Sequence, residues 1–104
     1  MEAGDVMLVN KERLAALRGE IGEDGFEEVL QLFLRESEEV VARLSAQMEG
    51  RLSDADMHFL KGSALTLGFD DLADLCRRSE TGAAVAPGDL QQLWLRSRDA
   101  LAAA

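Results

Sequence analysis

The chain has 104 residues and a formal charge of −9, from 20 acidic and 11 basic side chains with its one histidine neutral. That length holds one modest core and not two ordinary domains, so residues 1–104 are read as a single domain. A field of this sign repels phosphates and anionic lipid, which argues against nucleic acid and membrane surfaces as partners. One cysteine and one histidine leave no internal disulfide and no zinc knuckle, and no metal site is expected.

Residues 1–9 carry no basic region followed by an apolar stretch, and no window approaches the roughly 18 to 20 apolar residues of a membrane span. A cytoplasmic protein with a flexible stretch at 1–9 is expected. Asn10 can cap a short helix carrying Leu14 and Leu17, which should lie across the end of the fold. The stripe Phe26, Val29, Leu30, Phe33, Leu34, Ser37, Val40, Val41, Leu44, Met48 has the spacing of one long amphipathic helix ending near Gly50. Ser53 with Asp56 resembles a capping box for the next helix, which runs through Met57, Leu60, Ala64 and Leu67 to a stop at Gly68. Asp70 or Asp71 can cap a third segment with Leu72, Leu75 and Cys76 on its apolar face, ending around Gly82. Pro87 and Asp89 open a fourth, with Leu90, Leu93, Trp94, Ser97 and Leu101 on one side and residues 102–104 frayed. No useful strand-like alternation interrupts the series. Four amphipathic helices with short connections predict an all-α, antiparallel up-down four-helix bundle with a short additional N-terminal helix. Burial of all four stripes within one bundle predicts a monomer.

The single histidine falls on the second of these four helices. At 100° per residue, the stripe of Met57, Leu60, Ala64 and Leu67 centres about 150° from His58, so the imidazole points to solvent. Lys61 and Gly62 lie on the same exposed face, and Leu65 one turn further along it. An exposed histidine is commonly just a surface residue. Gly62 is harder to set aside, because glycine inside a helix costs about 1 kcal/mol relative to alanine and needs a packing or access reason.

His58-Phe59-Leu60-Lys61-Gly62-Ser63, with Gly68 ten residues after the histidine, resembles the H-x-L-K-G-[S/A] signature of histidine phosphotransfer (HPt) domains of bacterial-type phosphorelays. The likeness continues through Leu72-Ala73-Asp74-Leu75-Cys76-Arg77-Arg78-Ser79-Glu80, similar to the L-x-x-L-C-x-x-L-E stretch of that family and departing from it at Ser79. The resemblance implies that His58 is the phosphoacceptor and that Lys61 offsets the charge of the phosphoryl oxygens. It implies that Gly62 leaves room for a partner's active-site loops, and that Glu80 orients the imidazole through its other nitrogen. The implied partners are receiver domains of response regulators and a hybrid histidine kinase. The receiver would bring Mg²⁺, the chain itself carrying no cofactor.

Docking is expected to use Leu65, with Phe59 and Leu34 beside it. Lys61, Arg77 and Arg78 are expected to form a local positive patch that lets an acidic carrier approach an acidic partner. No glycine-rich nucleotide-binding stretch is present, so the expectation is a phosphocarrier and not a kinase. A non-catalytic receiver-binding module acting by occupancy, or a piece of a hybrid kinase, fits the same residues.

Overall fold

The computed structural model describes residues 8–46 and 54–103. They form five helices: α1 (Lys11–Ile21), α2 (Glu23–Ser45), α3 (Asp54–Leu67), α4 (Asp70–Glu80) and α5 (Pro87–Ala103). There is no strand among the described residues, and no described helix is long and apolar enough to cross a membrane.

The boundaries follow from local chemistry. Asn10 caps α1 as expected, its side-chain oxygen accepting from the Arg13 N–H at 3.1 Å. Gly22, at φ +95, separates α1 from α2. The last residue of α2 is Ser45, with Ala46 at the C-cap; the expected end near Gly50, the Met48 position and the Ser53 cap lie outside the described residues. Gly68 stops α3 with φ +78. A Cβ there would also sit 2.8 Å from the Asn10 carbonyl oxygen, because the Asn10 N–H donates to the Gly68 carbonyl at 2.6 Å. Backbone conformation and close approach both require glycine at this point.

The expected cap of α4 is corrected. Phe69, not Asp70 or Asp71, holds the N-cap position, without a side-chain hydrogen bond. Both aspartates fall in the first turn, where a carboxylate suits the positive end of the helix dipole, and Asp70 accepts from the Asn10 side-chain amide at 2.9 Å. Phe69 is fully buried, a core residue that helical periodicity does not reveal because it lies between helices.

The expected stripe of α3 is the buried one: Met57, Leu60, Ala64 and Leu67 are at most 2% exposed. They pack with Leu44, Phe69, Leu72, Cys76, Leu90 and Trp94 in one hydrophobic cluster. The Trp94 indole N–H donates to Ser37 Oγ at 2.9 Å, and that hydroxyl donates to the Leu34 carbonyl at 3.0 Å. The one buried indole donor is thereby satisfied. Burial pushes the Cys76 thiol up to about 12, with the Glu80 charge adding to the shift, so this side chain acts as a small hydrophobe.

Helix α3 packs between α2 and α4, and α5 closes against the other sides of α2 and α4. The short α1 packs on α2 and α3, with Leu14 and Leu17 half-buried against the core. Arg43 near the end of α2 meets Asp56 near the start of α3 at 3.1 Å. The result is a helical bundle in which the first turns of α3 stand beside the end of α4.

Candidate functional site

That last juxtaposition builds the site. Solvent reaches 77% of the His58 side chain, as the helical angle predicts. Its Nδ1 lies 3.4 Å from Glu80 Oε2, at the outer edge of hydrogen-bonding distance. The other oxygen of the same carboxylate accepts from Lys61 Nζ at 2.6 Å. Glu80 thus holds His58 with one oxygen and Lys61 with the other. Lys61 is one turn after His58 on α3, and Glu80 is the last residue of α4.

The Lys61 ammonium, hydrogen-bonded to Glu80, is the main reason that this carboxyl is held below its ordinary range; the contact with His58 adds to the effect. A depressed folded value means that the contact's contribution to stability is in place above the ordinary carboxylate range. It is lost as pH falls through the depressed value.

Lys61 departs from its expected place. Only 23% of its side chain is exposed, because it leans across α3 onto Glu80 instead of standing free beside the imidazole. Gly62 is exposed, and a Cβ added there would meet nothing within 4 Å. Nothing within the fold therefore requires glycine at this position. Gly62→Ala is expected to raise stability by about 0.5–1 kcal/mol, since alanine is the better helix former. Urea unfolding measures this, and a lower midpoint would contradict the open space above Gly62.

The expected docking residues are dispersed. Phe59 is 41% exposed and borders a groove of about 310 Å³ between α2 and α3 with Glu36, Glu39, Val40, Arg43 and Asp56. Leu65 is corrected: it is half-buried and packs on the core, because it lies on the flank of α3 that carries Lys61 towards α4. Leu34 is corrected as well. It too packs half-buried against the core, about 180° around α2 from Arg43, which faces α3. The outward apolar residue of α2 is Leu32, 46% exposed and about 20° from Arg43 in helical angle.

The expected positive patch also changes. Asp74 pairs with Arg77 at 3.2 Å and with Arg78 at 3.6 Å. Arg78 lines a separate groove between α4 and α5 with Leu75, Val85 and Arg96. With Lys61 held by Glu80, each of the three expected cations already has a carboxylate partner. Spacing alone carried part of this signal, because Arg77 and Arg78 stand three and four residues after Asp74. Among the described residues no group of three or more His, Cys, Asp or Glu side chains is placed to hold a metal ion.

A model of the Hpt domain family matches residues 28–104, a span that contains α3, α4 and α5 whole, together with His58, Lys61, Gly62 and Glu80. No curated protein and no solved structure matches the chain. By that match over most of its length, the chain belongs to the Hpt domain family, the helical phosphotransfer modules that work with receiver domains in two-component phosphorelays and are not themselves kinases.

Proposed function

We propose that this protein is a phosphorelay intermediate that carries a phosphoryl group on His58 between receiver-domain aspartates, from a hybrid kinase to a response regulator. The observation that carries the reading is the exposed imidazole of His58 with Nδ1 turned to Glu80. A carboxylate facing Nδ1 favours a proton on that nitrogen and leaves the Nε2 lone pair directed at solvent.

In the forward step Nε2 attacks the phosphorus of an aspartyl phosphate. The N–P bond forms as the bond from phosphorus to the aspartate oxygen breaks, and the carboxylate leaves as its anion. The positive charge gained by the ring is stabilised by Glu80. Delivery to a second aspartate reverses the same bonds. Mg²⁺ held by the receiver would neutralise the phosphoryl oxygens during both steps. Lys61 then serves first to fix Glu80 and through it the ring. Gly62, open to solvent one turn from His58, gives the partner's loops their approach, so Gly62→Ala should slow transfer while strengthening the helix.

The meetings of Arg43 with Asp56 and of His58 with Glu80 support reading α2–α5 as an up-down four-helix bundle. One bundle with its stripes turned inward fits a monomer.

Removing Glu80 is the sharpest test of the ring geometry. In Glu80→Ala, transfer from a phosphorylated receiver is expected to fall about tenfold or more, with the fold intact. Nitrogen-15 NMR of the neutral ring should show the proton on Nδ1 in the unaltered protein and a loss of that preference in the variant. An unchanged tautomer balance would remove Glu80 from the proposed mechanism.

A further inference from the structure

On α5, Asp89, Gln92, Leu93 and Arg96 fall within about 100° of helical angle, and on α4 Leu75 and Arg78 stand three residues apart on one side. With the connection between the two helices they line a groove of about 400 Å³. Its floor is apolar. Leu75 is buried, while Val85 and Leu93 are half-buried, packed against the core from below and open to the groove above.

Arginine enters from both walls. Arg96 is exposed and has no ion pair among the described residues. Arg78 lies 3.6 Å from Asp74, too far for a good hydrogen bond, and Asp74 is shared with Arg77 at 3.2 Å. The one carboxylate lining the groove is Asp89, about 10 Å along α5 from Arg96. Groove and rim thus hold three arginines against two aspartates, on a chain whose formal charge is −9. The local sign opposes that of the molecule. Planar guanidinium groups on the walls of an apolar floor match carboxylates that flank an apolar side chain.

The groove is separate from the phosphoryl site. Glu80 is about 160° around α4 from Arg78, and α3, which carries His58, does not pack against α5.

We propose that the α4–α5 groove is a docking site for an acidic peptide segment of a partner protein. One apolar side chain of the segment occupies the floor on Leu75, Val85 and Leu93, and carboxylates on either side of it pair with Arg78 and Arg96. A bound segment leaves His58 open. The partner is thereby held close without covering the imidazole, which raises the effective concentration of any domain attached to the segment. The charge of the whole chain sharpens the selection, because an acidic segment without the apolar anchor is repelled by the rest of the molecule. The inference stands on the groove and not on the reading of His58.

The experiment selects phage-displayed random linear peptides on the full chain, then measures binding of the enriched peptides by calorimetry and maps it by amide NMR shifts. Enriched sequences are expected to place carboxylates on both sides of an aliphatic or aromatic residue, and their shifts to centre on Leu75, Val85 and Leu93. Arg96→Glu is expected to weaken binding at least about tenfold. Arg35→Glu makes the same charge change at an exposed position of α2 and is expected to weaken it less than about threefold, since screening confines the effect of a distant charge. His58→Gln should bind as the unaltered protein does, so failure of the phosphocarrier reading would leave the groove standing. The proposal is overturned if no peptide is enriched, if the enriched peptides lack carboxylates, if the shifts centre elsewhere, or if the two arginine variants lose binding equally.

Discussion

Replacing His58 by glutamine is expected to reduce phosphoryl acceptance from a phosphorylated receiver by at least about a hundredfold, because a carboxamide nitrogen has no lone pair free to attack phosphorus. The fold should be indifferent. Most of the His58 side chain is in solvent, its polar contact with Glu80 is long, and surface substitutions of this kind change stability by about 0.5 kcal/mol or less. Glutamine keeps a polar group opposite Glu80 and fills a similar volume, so the receiver should still bind. Phosphate-affinity electrophoresis with a labelled receiver reads the transfer, and calorimetry reads the binding. Retained labelling in the variant would place the phosphoryl group on another residue. Lost labelling with unaltered signalling would instead favour a module that acts by occupying its partner.

The largest effect on stability is expected one helical face away. Leu60 is completely buried and holds α3 against the rest of the cluster. Leu60→Ala removes three carbons from a packed site and is expected to cost about 2–5 kcal/mol, depending on how far the neighbours collapse into the space. For a domain of this size the total stability is typically about 5–15 kcal/mol, so the melting temperature should fall by about 10 °C or more. Thermal unfolding followed by circular dichroism provides the measurement, and a loss below about 1 kcal/mol would mean that α3 is not docked as described. Because His58 points the other way, the variant should still accept phosphate at temperatures where it remains folded. The two substitutions, two positions apart in sequence, are expected to separate chemistry from stability.

That separation was legible before any coordinates, since a helix places Leu60 and His58 on different faces whatever its surroundings. Gly68 and Pro87 mark helix ends through backbone constraints carried by single residues, and the Asn10 cap is equally local. Phe69 escaped because burial in a connection depends on what lies opposite, not on a period. Leu34 and Leu32 were exchanged for a related reason. The apolar stripe of α2 is broad, and its rotation is decided by which neighbour lies on which flank, here α3 on the side of Arg43 and α5 on the side of Ser37. Lys61 and Leu65 sit at the margin of the exposed face of α3, where the approach of α4 turns solvent into neighbour. The signature found the histidine; the position of its acidic neighbour at the end of another helix is a tertiary fact.

Glu80 closes α4, and the terminal turn of a helix carries the partial negative charge of its unpaired carbonyls. A carboxylate is the group that such an end tolerates least, and Arg77 and Arg78 in the same turn are what it favours. Lys61, reaching over from α3, supplies the missing counter-charge from outside the helix. The end of α4 is therefore electrostatically complete only while α3 lies against it. Parting the two helices would leave the Glu80 carboxylate facing that negative end without its ammonium, so the ion pair that sets Glu80 beside the imidazole also fastens α4 to α3.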